Sequence, residues 1–517
     1  MDRSTHESLG QAKGPRPASP PPGQPDPGPS GPSPLSHREI RSIIAGIIVA
    51  MLLAALDQTI VATALPTIGR ELGDVEHMPW VVTTYLLAAT TVTPLYGKFS
   101  DTHGRRITLL IGIVTFVLGS IACAAAPTMV VLILARLLQG LGGGGLISLA
   151  QTIIADVVAP KERGRYQVYI ASVFVSASLL GPVLGGFFAE HLHWSVIFWI
   201  NVPLGALAFW MSNAALKRLP RHDRRRHLDV AGALLLMGTT VTLLLALNWG
   251  GLRYPWASLP IIGLVMASLA LAAALALRLR TAREPLIPLE VLRNPVVRTG
   301  TLAACFGMGT YIGLTIYVPV YFEAVLGLSA ANSGLALIPL MVGTVIGATF
   351  SGRAMARVAH YKRLPTAGLI VAIAATAVLI ATAGRLSLPW TEAVLAAISL
   401  GLGTLLPVAT VSIQNAVASH QLGTATAVAN FFRQLGGALI VAVFGAIVLS
   451  GAGAAGRSLS FESITVAAGA ADLARAFRWV FAAALAGFAL ALLFLILMEE
   501  KPLRGSAARA ADAAVAD

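Results

Sequence analysis

Residues 43–63 read IIAGIIVAMLLAALDQTIVAT, twenty-one positions with one charge, Asp57. A helix rising 1.5 Å per residue carries such a stretch about 30 Å, the thickness of a bilayer's hydrocarbon core. From there onward, apolar stretches near 20 residues alternate with short polar breaks. The pattern predicts membrane-crossing helices at 43–63, 79–97, 107–125, 128–149, 166–189, 195–214, 229–247, 258–278, 299–322, 333–352, 365–383, 392–413, 424–450 and 477–498. That makes fourteen, or thirteen if 333–352 is re-entrant. Composition agrees: 56% of the 517 residues are apolar, only 12% are charged, and the mean hydropathy is +0.76. A soluble domain carries about 25% charged residues, so lipid is the solvent around much of this chain. The 50 glycines fit close approach of helices in a bilayer.

Charge distribution checks the helix count. With a cytoplasmic N-terminus and fourteen spans, inner loops and the two tails hold 29 of the 37 Lys/Arg and outer loops hold 6. The other two, Arg136 and Arg433, fall inside spans. A wrong count would exchange the later loops and erase this bias. The net charge of +13 therefore reads as membrane orientation, not as nucleic-acid binding. The cluster Arg221–His227 is expected to anchor topology against anionic lipid headgroups, and Trp249, Tyr254 and Trp256 belong to an interfacial aromatic belt. The reading is a multi-pass plasma-membrane protein, in bacterial terms of the inner or cell membrane, with both termini cytoplasmic.

Other features bound the chemistry. Ten prolines between Lys13 and Ser36 predict a disordered tail. It lacks the apolar core of a cleavable signal, so the first helix is expected to direct insertion. Cys123 and Cys305 lie in apolar runs and read as small buried hydrophobes. His191 and His193 lack an obvious third ligand, and no metal or cofactor is expected. Gly142–Gly145 reads as helix packing, since a phosphate loop needs a Gly-Lys-Ser/Thr ending. No catalytic constellation at membrane depth and no nucleotide-binding domain point to an enzyme or to ATP-driven transport by this chain.

An ionisable group inside a span costs several kcal/mol unless paired or facing a polar cavity, roughly 3 at the centre on insertion scales. Asp57 in helix 1 and Arg136 in helix 4 lie at depths from which their side chains can meet. Opposite charge would favour the ionised carboxylate and desolvation would oppose it, which suits a group that loads and releases a proton. A fixed structural ion pair is the other reading. Arg433 in helix 13 either lines a cavity, pairs structurally or snorkels. Glu323, at the end of helix 9, is an interface acid or a second proton site.

These residues fall in a recurrent pattern. Leu56-Asp57-Gln58-Thr59-Ile60-Val61-Ala62-Thr63-Ala64-Leu65-Pro66 resembles the helix 1 signature of fourteen-helix drug:proton antiporters of the major facilitator superfamily. Gly97-Lys98-Phe99-Ser100-Asp101-Thr102-His103-Gly104-Arg105-Arg106 is similar to the superfamily's motif between helices 2 and 3, and Arg136-Leu137-Leu138-Gln139-Gly140 to its helix 4 motif. Gly181-Pro182-Val183-Leu184-Gly185-Gly186 resembles the antiporter motif. It departs from the fuller pattern at Ala177 and Val168, where that pattern has glycine, which predicts a shallower groove. Ile200-Asn201-Val202-Pro203, Tyr317-Val318-Pro319-Val320-Tyr321-Phe322 and Asn430-Phe431-Phe432-Arg433-Gln434-Leu435-Gly436-Gly437 are also similar to the EmrB/QacA branch.

The resemblance implies two six-helix bundles, 40–220 and 284–499, with two inserted helices in 221–283 and tails at 1–39 and 500–517. It implies export of hydrophobic or amphipathic compounds in exchange for protons, with Asp57 and Arg136 at the coupling site. Gly97, Asp101, Gly104, Arg105 and Arg106 would form an inner gate, in which Asp101 accepts from Arg105, Arg106 or a neighbouring helix N-terminus, or else serve as a topology signal. Gly181, Pro182, Gly185 and Gly186 would let helix 5 bend and pack, while Thr59, Gln139, Arg433 and Glu323 are candidates for the cavity wall. The implied partners are a small-molecule substrate, protons and membrane lipid, with a periplasmic adaptor protein conceivable where the organism has an outer membrane. A transporter dedicated to one metabolite, siderophore or lipid would share the fold and most of these motifs.

Overall fold

In the computed structural model the described residues are 36–74, 77–218, 229–251, 253–358, 360–451 and 470–503. The Arg221–His227 cluster and the tails 1–35 and 504–517 lie outside them. Fourteen long helices run through the described residues. In the first half they are α1 (His37–Glu71), α2 (Met78–His103), α3 (Arg105–Ala124), α4 (Met129–Val157), α5 (Pro160–His191) and α6 (Val196–Ala215). Then come α7 (Val230–Trp249) and α8 (Leu259–Thr281). The second half holds α9 (Pro295–Leu326), α10 (Asn332–Met355), α11 (Arg363–Thr382), α12 (Leu388–Asn415), α13 (Leu422–Gly451) and α14 (Ala470–Leu497).

Thirteen of these are both long and apolar enough to cross a membrane. The exception is α2, not the 333–352 stretch, which lies within the 24-residue span Asn332–Met355. Six threonines dilute α2 (Thr83, Thr84, Thr90, Thr91, Thr93 and Thr102). Most of it is buried against other helices, and a helix surrounded by protein need not match the apolarity of lipid. Helix ends reach past the apolar cores because caps, not hydropathy, terminate them. Ser36 and Glu39 form a reciprocal capping box that starts α1 seven residues before Ile43. Asn294 caps α9 with Pro295 at its first position.

The cores divide as two bundles. One large apolar cluster is built entirely from residues of α9–α14 and their connections, running from Val296 to Met498. Two others are built from α1–α6 and their connections. Helices α7 and α8 pack on each other. Their Ala233, Leu236 and Leu279 meet Leu95 of α2 and Val428 and Phe431 of α13 in a small cluster at the seam between bundles. All fourteen elements thus follow the two-bundle arrangement with two inserted helices. Both described chain ends lie at one end of the molecule, with the α2–α3, α4–α5, α10–α11 and α12–α13 turns. That end carries Lys98, Arg105, Arg106, Arg163, Arg353 and Lys362, and is called the basic end below.

Candidate functional site

Asp57 lies on α1 among apolar neighbours and is completely buried, as is Arg136 on α4. Arg136 Nη1 donates to Asp57 Oδ2 at 2.6 Å and to Gln139 Oε1 at 2.6 Å. Gln139 sits three residues along α4, hence on the same face, and its Nε2 donates to Asp57 Oδ1 at 2.8 Å and to Ser120 Oγ of α3 at 2.7 Å. Asn201 at the start of α6 adds a third donor, Nδ2 to Asp57 Oδ1 at 2.9 Å. On the other side, Arg136 Nε donates to the Val81 carbonyl of α2 at 3.0 Å, and the guanidinium lies 4.3 Å from the Tyr85 ring centre. Residues of α1, α2, α3, α4 and α6 are therefore joined in one network around the Asp57–Arg136 pair. The pair is buried and largely satisfied, which is what a membrane-depth ion pair requires to persist. Asn201, Ser120 and Tyr85 were absent from the sequence-derived site. Asn201 alone carried a signal, an amide within an apolar turn.

At the basic end the other motif folds as a bridge between bundles. Gly104, at φ +90°, makes the turn between α2 and α3, a conformation that side chains disfavour. The turn places Asp101 against the start of α13. Its carboxylate accepts from Gly423 N at 3.0 Å, Thr424 N at 2.7 Å and Thr424 Oγ1 at 2.7 Å. These amides belong to the first turn of a helix, whose N–H groups lack intrahelical partners and carry the positive end of its dipole. Arg105 bonds Asp101 at 2.5 Å and Asp156 of α4 at 2.8 Å. Arg106 takes no part; it donates to Asn213 of α6. Gly97 permits the contact, since a Cβ there would come 2.5 Å from Ala427 Cβ and 2.6 Å from the Gly423 carbonyl. Across the same seam Gly164 of α5 faces Gly352 of α10 backbone to backbone.

Polar bonds continue up the seam. Asn430 Nδ2 of α13 donates to Gln151 Oε1 of α4 at 2.7 Å, and Gln414 Nε2 of α12 donates to the Gln151 carbonyl at 3.3 Å. Thr90 of α2 donates to Gln434 of α13 at 2.9 Å near mid-span. These bonds, with those at Asp101, hold the halves together from mid-depth to the basic end, so the structure is closed there. Sequence reasoning did not select Gln151, Gln414 or Thr90; a lone amide or hydroxyl in an apolar run has too many uninteresting explanations.

The antiporter-like stretch lies on α5 against α1. A Cβ on Gly181 would strike the Thr59 hydroxyl, and one on Gly185 would strike the Thr63 hydroxyl and the Ile60 carbonyl; Gly186 faces open space. Pro182 lies within the continuous helix α5. Thr59 Oγ1 donates to the Ala177 carbonyl at 2.8 Å, so Thr59 ties α1 to α5 and Ala177 occupies the groove where glycine was expected. Arg433 lines a small cavity in the seam with Gln151 and Asn430. Glu323 is exposed near the end of α9 remote from the basic end. Of the four candidates for a cavity wall, Gln139 belongs to the Asp57 network and only Arg433 lines the seam cavity.

A family model described as Major Facilitator Superfamily matches residues 47–441. The chain belongs to the major facilitator superfamily. This facilitator is 34% identical over 408 residues to Multidrug resistance protein 3 of Bacillus subtilis, covering 78% of this chain and 79% of that protein. It is 32% identical over 412 residues to Multidrug transporter protein MdtP of the same organism, covering 78% and 75%. Among solved structures it resembles a bacterial homologue of the iron transporter ferroportin in an outward-facing state. There the TM-score is 0.63 with 12% identity, over 90% of this chain and 100% of that one. It also resembles the proton:xylose symporter XylE, at TM-score 0.61 and 16% identity over 91% and 98%. At such identities the likeness shows the shared fold. This facilitator is thus a multi-pass membrane transporter.

Proposed function

We propose that this chain exports amphipathic small molecules in exchange for protons, as an antiporter of the EmrB/QacA type in a bacterial cell membrane with its basic end and both termini in the cytoplasm. The observation that carries this reading is the completely buried Asp57, held by Arg136, Gln139 and Asn201, in a chain similar to two proteins named as multidrug transporters. Protonation of Asp57 from outside removes the charge that holds Arg136 and the two amide donors, and loosens the joint where α1, α3, α4 and α6 meet. Proton release restores it. An inward-moving charge yields about 2.3 kcal/mol per 100 mV, which converts to a substrate gradient of about fifty-fold per proton. The closed seam at the basic end, latched by Asp101, corresponds in this scheme to the state shut toward the cytoplasm. The reading keeps the domain limits at 40–220 for the first bundle, 221–283 for the inserted pair and 284–499 for the second bundle.

Reconstituted vesicles with an imposed pH gradient test the proposal. A panel of acidic, neutral and cationic amphipathic compounds is loaded, and efflux is followed with and without an uncoupler for the wild type and Asp57→Asn. Uncoupler-sensitive efflux that the variant loses supports the exchange. Gradient-driven transport at the wild-type rate in Asp57→Asn removes Asp57 from the coupling step and refutes it.

A further inference from the structure

The seam cavity is small, about 20 Å³, and lies between α4 of the first bundle and α9, α12 and α13 of the second. It has room for about one or two waters, a slot for a polar head group in this closed state. Its polar wall is made by Gln151, Thr410, Thr426, Asn430 and Arg433, the rest is apolar, and no aspartate or glutamate lines it among the described residues. Two of these groups are left as donors without acceptors. Arg433 has no hydrogen bond or ion pair among the described residues, whereas the other arginine within a span, Arg136, is paired with Asp57. Gln151 Nε2 is buried without a partner, because the other end of that amide, Oε1, is taken by Asn430. The orphaned acceptor nearby, Gln414 Oε1, does not line the cavity.

A guanidinium has only donors and stays charged throughout the accessible pH range. At membrane depth an unpaired one is costly, and such groups mark substrate pathways or find a partner. The Asp57 carboxylate is engaged within the first bundle by Arg136, Gln139 and Asn201, so it does not neutralise Arg433. The complement of a planar, donor-only fork beside a second free N–H is a planar anion with two acceptor oxygens. We propose that Arg433 and Gln151 bind the carboxylate of an amphipathic organic acid, the Ala304, Leu406 and Ala409 side of the cavity widening to take its apolar body. This reading rests on the export function above and names its substrate class: acids, not lipophilic cations, which the fixed positive charge repels. It also gives the site a reason to lie between bundles, since opening the seam separates Gln151 of α4 from Arg433 of α13 and dismantles the site from one side.

The test is equilibrium binding to the full chain in nanodiscs, without a pH gradient, so that it reads the anion site whether or not Asp57 couples to protons. The probes are dansylglycine and its methyl ester, which share one body and differ in the charge; empty nanodiscs supply the blank. A charge-assisted hydrogen bond predicts that wild type binds the acid at least about tenfold more tightly than the ester. Arg433→Gln brings that ratio near one, and Arg433→Lys retains part of it. Gln151→Glu places a carboxylate in the slot while Asn430 keeps its acceptor, and it abolishes the preference with the arginine still present. Should Arg433→Gln fail to fold, Gln151→Glu carries the same test. A wild-type ratio near one, no binding of the acid, or a preference that survives in Gln151→Glu overturns the proposal. Gradient-driven transport at the wild-type rate in Asp57→Asn vesicles, with the acid preference intact, would refute the coupling scheme and leave this site standing.

Discussion

Asp101→Asn should open the seam at the basic end. The wild-type carboxylate takes three hydrogen bonds across that seam, from Gly423 N, Thr424 N and Thr424 Oγ1. The substituted amide keeps the shape, one acceptor oxygen and no charge. Hydrogen bonds to a charged group are worth roughly 1 kcal/mol more than neutral ones, and the α13 dipole favours the anion further. The latch therefore loses about 2–3 kcal/mol, which raises the population open at this end by roughly 30- to 150-fold. The reporter is Thr426→Cys in a background lacking Cys123 and Cys305. Thr426 lines the seam cavity and is 2% exposed, and cysteine is close to it in size. Modification by a maleimide in nanodiscs then proceeds only through the open state, and its rate follows that population. Adding Asp101→Asn should accelerate labelling by one to two orders of magnitude, with the melting temperature changed little. Acceleration of less than about threefold in a folded protein would mean that the three bonds do not govern the seam, and would refute the reasoning.

The buried pair predicts a non-additive cycle. Arg136→Gln leaves Asp57 without its cation and should cost about 3–5 kcal/mol, read as a large fall in melting temperature. Combining it with Asp57→Asn should recover the greater part, and additive losses would contradict the pairing. On the α1–α5 contact, Gly181→Ala and Gly185→Ala press a methyl group into Thr59 and Thr63 and should each cost about 1–3 kcal/mol. Gly186→Ala meets nothing within 4 Å and should melt like the wild type. Gly164→Ala brings a Cβ to 2.8 Å of the Gly352 carbonyl, which should prop the seam apart and speed labelling of Thr426→Cys; an unchanged rate would show that the helices yield elsewhere.

What could be read from the chain beforehand was whatever lipid imposes. Apolar length fixed the spans, and Asp57 and Arg136 stood out because charge at that depth needs a reason; the structure places them 2.6 Å apart. The Asp101 turn was legible because Gly97 through Arg106 resembles the superfamily's motif between helices 2 and 3 and Gly104 permits a tight turn. The α2 helix exposed the limit of the hydropathy argument, since protein, not lipid, covers it. Gln151 was invisible for a related reason, and Asn201, though part of the Ile200–Pro203 stretch, gave no sign of what it would bond. One amide in twenty apolar residues says nothing until another helix supplies its partner, and the partners lie 144 positions away for Asn201 with Asp57 and 279 away for Gln151 with Asn430. Arg433 was legible as an anomaly, but its lack of a partner is a property of the fold.

One helix joins the two polar centres. On α4, Arg136 and Gln139 face Asp57, and Gln151 reaches the seam three turns later. Between them Gly142–Gly145 interrupts the regular helix at Gly144–Gly145. These glycines are packed from several sides: a Cβ on Gly142 would strike the Phe116 amide of α3, one on Gly144 the Ala89 carbonyl of α2, and one on Gly145 the Tyr96 ring. The break also frees the Gly144 carbonyl, which accepts from Thr93 Oγ1 of α2 at 2.7 Å. The middle of α4 is thus held to α2 and α3 by close contact at its glycines, not by long side chains that can swing. Close-packed contacts of that kind transmit displacement instead of absorbing it. A movement of Arg136 on losing its anion is therefore passed to helices that also carry Gln151, Thr90 and Asp101, the first-bundle side of the seam. The polar residues that seemed scattered in the sequence lie on one mechanical unit, α2 with α4, and the glycine run is what makes the two helices one.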